Sequence, residues 1–261
     1  MPQDHSEINL TSIITAAQAA GKVIRGYFGQ TLEIEEKSTL SDFRTKADTE
    51  SERAILQILT KEYPSFNIFS EEAGLIDKKS EHTFIIDPLD GSNNFVLGIP
   101  NFSVSIGLLK GERAVAGVIH IPTLNHTYYA QEGQGSFMGE IPLHVNDEPN
   151  IKKATVSYTA GYGHSQEYAE GLRHRVRQLG IKRLIEYWSP AVEYCLLASG
   201  KLEAIINNKN DIYDFLAGKI IAREAGAKIT GFNGKPEQSD RGDNFLVSNG
   251  MAIHEEILAV I

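Results

Sequence analysis

Phe84-Ile85-Ile86-Asp87-Pro88-Leu89-Asp90-Gly91-Ser92-Asn93-Asn94-Phe95 is the stretch on which the reading of this chain turns. Phe84, Ile85 and Ile86 form a short apolar run, the pattern of a strand buried at its end. Pro88 has no N–H for a strand ladder, and Asp90-Gly91 makes a turn. Asp87 and Asp90 therefore stand at the tip of a rigid element. Gly91 lets backbone approach a ligand closely, and Ser92 suits the N-cap of a following helix. Carboxylates suit a hard cation such as Mg²⁺, and free N–H groups suit phosphate. An ordinary acidic strand-to-helix turn has the same residues, so this stretch alone leaves both readings open.

The rest of the composition narrows the class. The 261 residues allow one large domain or two closely packed halves. An apolar share of 41% and a charged share of 23% fit a globular chain, and no apolar run approaches a membrane span. Met1 to Asn9 is polar, carries Asp4 and Glu7, and lacks the pattern of a signal peptide. The single Cys, Cys195, lies in an apolar run and reads as core; one Cys excludes an intrachain disulfide and agrees with a cytoplasmic setting. The net charge of −9 argues against general nucleic-acid binding. It would also repel a phosphorylated substrate unless bound cations dominate the local field.

Working outward, Ile8 to Phe28 has helical apolar spacing and Gly29 is its expected stop. Glu33 to Lys37 reads as a short strand. Thr45 or Asp48 is placed to cap the next helix, whose inner face holds Ala54, Ile55, Ile58 and Leu59 and which Pro64 ends. Phe66 to Phe69 is a short strand delivering Ser70-Glu71-Glu72. If it neighbours the strand ending at Ile86, Glu71 can face Asp87 and Asp90. Phe102–Leu109, Ala114–Ile121 and Thr127–Ala130 read as an antiparallel meander. A polar segment, Val145 to Lys153, divides the chain, giving residues 1–147 as the metal- and phosphate-binding half and 148–261 as an α/β half completing the pocket.

In that second half, Ala154–Tyr158 and Leu202–Ile206 are strands, and Tyr168–Leu179 is a helix. That helix carries Arg173, His174, Arg175 and Arg177, read as a solvated face, with a substrate-facing role as the alternative. Ser189-Pro190 starts a helix that Gly200 closes. Asp214 opens a buried helix through Ala222, either as its N-cap or with a further role. Phe245–Ser248 and Ile253–Val260 are the last strand and helix.

Four segments, Thr45-Lys46-Ala47-Asp48, Ser70-Glu71-Glu72, Asp87-Pro88-Leu89-Asp90-Gly91-Ser92 and Tyr213-Asp214-Phe215-Leu216-Ala217-Gly218, together resemble the inositol monophosphatase family in order and spacing. The resemblance implies an α+β sandwich of alternating helix and sheet layers, and a Mg²⁺-dependent phosphomonoesterase using two or three ions. It implies Glu71, Asp87, the Leu89 carbonyl, Asp90 and Asp214 as metal ligands, with Glu72 near an outer metal or the water network. Glu71, Ser92 and Asp48 become the catalytic set, Ser92 with Asp48 orienting the attacking water. Asp90, Gly91, Ser92, Ser189 and Asn207 become the substrate-binding set. It further implies a small phosphorylated polyol or sugar as substrate, lithium sensitivity and a homodimer. A 3′(2′),5′-bisphosphate nucleotide, histidinol phosphate and fructose bisphosphate are alternative substrates. A silent, regulatory phosphatase fold is the alternative of another class. Some positions depart from the pattern. Asn207 stands where inositol-directed members carry Glu, with Asp211 nearby. Trp188-Ser189-Pro190-Ala191 replaces a Gly-Thr-Ala-Ala segment, Pro190 has no N–H to offer, and Trp188 either stacks on a substrate ring or packs, with packing preferred. Tyr213 replaces Trp, and Ser92 the commoner Thr.

Overall fold

The computed structural model describes residues 8–39, 42–161 and 165–261, so the reading of Asp4 and Glu7 lies outside it. In chain order the elements are α1 (Leu10–Tyr27), β1 (Ile34–Thr39), β2 (Asp42–Thr45), α2 (Lys46–Glu62), β3 (Asn67–Ser70), β4 (Gly74–Ile76), β5 (His82–Asp90) and α3 (Ser92–Val96). There follow β6 (Ser103–Lys110), β7 (Arg113–Ile121), β8 (His126–Gln131), β9 (Ser136–Met138) and β10 (Ile141–Pro142). The second half has β11 (Thr155–Ala160), α4 (Gln166–Gln178), β12 (Arg183–Ile185), α5 (Pro190–Ala198), β13 (Ala204–Asn208), α6 (Ile212–Glu224), β14 (Lys228–Gly231), β15 (Asn244–Ser248) and α7 (Ala252–Leu258).

These elements stack as alternating helix and sheet layers. Successive side chains of a strand face opposite ways, so a continuous apolar run is buried on both faces. Phe84 and Ile86 of β5 pack with α1 and α2, whereas Ile85 packs with α5 and α6. In the five-stranded sheet, Ile205 and Val247 face α5 and α6, while Ala204, Ile206 and Leu246 face α4 and α7. Each fully buried apolar side chain contributes about 1.5–3 kcal/mol against leaving it in water.

Helix α6 lies between the two sheets and is apolar around most of its circumference, with Phe215 through Ala222 all buried. Two contacts let it fit. A Cβ on Gly117 of β7 would stand 2.7 Å from the Ala217 carbonyl oxygen, and one on Gly218 would stand 2.3 Å from the Tyr194 ring. Both positions demand glycine for space.

The eight-stranded sheet has the order β10-β9-β8-β7-β6-β5-β3-β4, and β3 runs parallel to β5 with Ser70 opposite Ile86. The neighbour relation required of Glu71 and Asp87 is therefore met. The meander from β6 to β8 is antiparallel throughout. At Pro88 the β5–β6 register shifts between Asp87 and Asp90, the local break that a residue without an N–H imposes.

Several boundaries differ from the sequence reading. Ser92 is the first residue of α3 and not its cap; the capping position is Gly91, at φ +88°. Asp214 lies inside the first turn of α6, and Asp211 occupies the N-cap. Strand β13 begins at Ala204 and runs to Asn208, two residues later at each end than the sequence reading. Short β12 and β14 are additional strands, too brief for a period-two pattern to mark them. Cys195 is buried core.

Candidate active site

Three backbone segments bring carboxylates to one cavity. Asp87 and Asp90 come from the broken end of β5, and Asp214 comes from the first turn of α6. Each offers an oxygen, and these oxygens lie within 4.8 Å of one another. Glu71, at the tip of β3, lines the same cavity and its N–H donates to the Ile86 carbonyl at 3.1 Å. The cavity holds about 700 Å³, inside the range typical of small-molecule sites.

Burial and like charge together set the electrostatics of this cluster. Burial pushes the Asp87 carboxyl well above its ordinary value, and the charges of Glu71, Asp90 and Asp214 push it further. Asp214 is raised for the same reasons, burial first, then Asp90 and Glu71. Asp90 is raised only to about 6, because burial is opposed by hydrogen bonds from Ser189 and Ser103 and from the Ala191 and Val192 N–H groups. Buried carboxylates that repel one another are the donor set a hard divalent cation satisfies. The residues present therefore fit a divalent metal, with Asp87, Asp90 and Asp214 at its core.

Helix α2 braces the site from one side. Asp48 is buried and takes three donors: the Thr45 N–H at 2.8 Å, the Thr45 hydroxyl at 2.7 Å and the Ser92 hydroxyl at 2.9 Å. Thr45 is the N-cap and Asp48 completes a capping box, so both sequence candidates share the cap. Burial still raises the Asp48 carboxyl above its ordinary value. One turn on, Ser51 donates to the Pro88 carbonyl at 2.7 Å. Glu52 accepts from the Ser70 hydroxyl and, at 2.9 Å, from the Ala73 N–H. One helical face thus holds both carboxylate-bearing loops. Glu72 is nearly buried and lies 3.7 Å from Arg44, directed to β2.

Next to the carboxylates, Leu89 is buried and its carbonyl stands 2.9 Å from the Ser92 hydroxyl. The same hydroxyl has Asp48 as an alternative acceptor. Gly91 is packed so tightly that an added Cβ would meet the Asn101 carbonyl at 3.0 Å and Ser189 at 3.1 Å.

Two sequence-derived contacts do not reach the cavity. Ser189 is fully buried and its hydroxyl is committed to Asp90, so it holds a carboxylate rather than a substrate. Asn207 is also fully buried. Its oxygen is 3.2 Å from the Thr159 hydroxyl and 2.9 Å from the Asn210 amide, and its own amide donates to the Asp243 carbonyl at 2.8 Å. An amide with these partners supports the wall, and Asn210 and Asp211 are the residues that line the cavity there.

Trp188 does not pack in the core. It is 61% exposed, adopts φ +55° and lines the cavity. Arg173 departs from the solvated-face reading, since its side chain is only 14% exposed and also lines the cavity. Arg175 by contrast is bonded to the Val260 carbonyl.

Other supports were not visible in the spacing. Ser103 donates to Asp90 at 2.8 Å because the β5–β6 register puts them opposite. Glu193 holds the Tyr187 N–H at 2.9 Å and is joined to Ser157. Glu52, four residues after Asp48 on one helix, did carry a signal in that spacing.

The model of the inositol monophosphatase family matches residues 6–261. The chain belongs to the inositol monophosphatase family. It is 33% identical to a fructose-1,6-bisphosphatase/inositol-1-monophosphatase of Thermotoga maritima, covering 95% of this chain and 93% of that protein. It is 32% identical to an inositol-1-monophosphatase of Caulobacter vibrioides, covering 94% and 98%, and 33% identical to a Nus factor SuhB of Pasteurella multocida, covering 95% and 94%. Among solved structures, the Thermotoga maritima IMPase superposes with a TM-score of 0.87 at 31% identity over 96% of this chain and 95% of that one. The SuhB protein of Bartonella henselae superposes with a TM-score of 0.89 at 27% identity, over 96% and 97%. As an inositol monophosphatase family member, the chain has the phosphatase fold of layered helices and sheets. The family is one of metal-dependent phosphatases, and the Asp87, Asp90 and Asp214 oxygens are grouped closely enough to hold a metal ion. No helix among the described residues is long and apolar enough to cross a membrane.

Proposed function

We propose that this chain is a Mg²⁺-dependent phosphomonoesterase acting on a small polyol or sugar monophosphate, of the inositol monophosphate kind. The observation that carries the reading is the convergence of Asp87, Asp90 and Asp214 within 4.8 Å, beside the Ser92–Asp48 hydrogen bond. Glu71, Asp87, the Leu89 carbonyl, Asp90 and Asp214 would hold two or three ions. Bound there, the metal would acidify a ligated water and neutralise charge on the leaving oxygen. The chain's own residues do the positioning. Asp48 accepts the Ser92 proton, which turns a hydroxyl lone pair toward the water and orients it for in-line attack. The Gly91 and Ser92 N–H groups bind phosphoryl oxygens. Walls of fixed dipoles and buried side chains exclude bulk water, which strengthens each of these interactions.

A monophosphate is favoured over a bisphosphate because Arg173, the single basic side chain among the described cavity-lining residues, is already paired with Glu186. A homodimer and a cytoplasmic setting belong to the same reading, and sedimentation velocity tests the first. The test of function is kcat/KM with Mg²⁺ for inositol 1-phosphate, adenosine 3′,5′-bisphosphate, histidinol phosphate and fructose 1,6-bisphosphate. Highest efficiency on the inositol ester supports the reading. Inactivity on all four, by folded protein, moves it to a non-catalytic role, such as the Nus-factor names of two relatives raise.

A further inference from the structure

The wall of the cavity also contains a charge pair that the phosphatase chemistry does not use. Arg173, on α4, stands over the Tyr158 ring with its guanidinium carbon 4.8 Å from the centroid. Its Nε and Nη2 donate to the two oxygens of Glu186, each at 2.9 Å. Its Nη1 donates to Glu170 at 3.0 Å. Tyr158, Arg173 and Glu186 all line the cavity that holds the acidic cluster.

This geometry is a fork-to-fork pair. The guanidinium edge that a carboxylate fills is the edge that a phosphate would fill, since both anions present paired oxygens at similar spacing. The ring of Tyr158 and the Glu170 contact fix the guanidinium from two other directions. Removing Glu186 would therefore leave the fork aimed and preorganised rather than free to wander. Glu186 is the more exposed partner, 32% against 14%, and both side chains line the cavity.

We propose that Glu186 is a specificity-determining residue: it masks Arg173 and so excludes substrates carrying a second phosphoryl group that would reach the Arg173 part of the cavity wall. The proposal rests on the phosphomonoesterase reading. It assigns discrimination between mono- and bisphosphates to a repulsive element, with the attractive element, Arg173, already in place beneath it. A substrate with a neutral, hydroxylated far end meets no such repulsion, and Glu186 can accept hydrogen bonds from it.

The experiment compares wild type, Glu186→Ala and the double variant Glu186→Ala with Arg173→Ala. Each is assayed with Mg²⁺ on inositol 1-phosphate and fructose 1,6-bisphosphate. The expected result is a rise of about 10-fold or more in the bisphosphate-to-monophosphate ratio of kcat/KM for Glu186→Ala, carried by KM, the scale of one charge-assisted pair. The double variant returns the ratio to the wild-type value. A ratio unmoved by Glu186→Ala, or a gain retained without Arg173, overturns the mask. A merely structural pair would lower both substrates together and leave the ratio fixed. Trp188, the single Trp of the chain, is the fluorescent reporter of binding. In an Asp48→Asn background, where turnover is slowed, Glu186→Ala should tighten fructose 1,6-bisphosphate binding by a similar factor, and unchanged binding again overturns the mask. A wild type that binds but hydrolyses neither ester overturns the phosphatase reading and leaves the binding comparison to decide the mask.

Discussion

The Ser189 hydroxyl donates to Asp90 Oδ2 at 2.5 Å across 99 residues of sequence. This bond joins the N-cap of α5 to the broken end of β5. Ser103 approaches the same oxygen at 2.8 Å. Asp90 is thus the most heavily braced carboxylate of the cluster and the least raised in pKa among the three that converge. Ser189→Ala leaves the fold in place but loosens that brace. The expected outcome is roughly 10-fold weaker Mg²⁺ activation, the scale of removing an outer support of a metal ligand. Titration calorimetry with Mg²⁺ alone checks it, and unaltered affinity would show the bond to be incidental.

Asp90→Asn keeps the shape of the side chain and removes its charge. Most turnover should disappear while the circular dichroism spectrum stays that of the wild type. Full activity at saturating Mg²⁺ would remove Asp90 from the ligand set.

Asp87 faces three like charges and accepts the Leu89 N–H at 2.9 Å. Asp87→Asn can keep that hydrogen bond and relieves the repulsion. Without metal, the variant should melt at a higher temperature than wild type. With Mg²⁺, wild type should gain stability and the variant should gain little. Scanning calorimetry with and without chelator separates the two effects.

Glu193 lines the same cavity and supplies a pH dependence beyond the three converging carboxylates. Burial pushes its carboxyl from 4.5 up to about 8, so the folded protein holds a proton that the unfolded chain releases. Its contribution is complete below pH 4.5 and is lost as pH rises through about 8. Glu193→Gln removes that loss while still accepting from the Tyr187 N–H. The stability of the variant relative to wild type should therefore increase from pH 5 to pH 8 in urea titrations. A constant difference would mean that Glu193 is ionised in the fold.

Gly218→Ala tests the packing of α6 between the sheets. The added methyl would meet Tyr194 at 2.3 Å, and the ring is itself fully buried. The cost should be about 1–3 kcal/mol or more, read from the urea midpoint. A neutral result would mean that α5 and α6 can move apart.

The sequence marked the Asp87 and Asp90 pair because that feature is local. Asp87-Pro88-Leu89-Asp90-Gly91 sets two carboxylates beside a break in the strand, whereas their convergence with Asp214 needed the fold. The apolar runs at Phe84–Ile86 and Phe215–Ala222 likewise announced strands and a helix buried on all sides. Positions whose role depends on a remote partner were not legible. Ser189 reads equally as a cap, a substrate contact or a brace until β5 and α5 are seen side by side. Asn207 occupies a plausible ligand position by count, yet its amide is consumed by Thr159, Asn210 and Asp243. Arg173 looks solvated on its own helix because Tyr158 and Glu186 lie on other elements.

Residue order alone determined where carboxylates, breaks and buried runs occur, since torsional preference and apolar period act over a few residues. Which hydroxyl braces Asp90, which amide is spent inside the wall, and which base is covered by an acid were decided only when distant segments met. Those outcomes depend on ångström-scale approach between elements, and the strength of a hydrogen bond or ion pair falls away within that same distance.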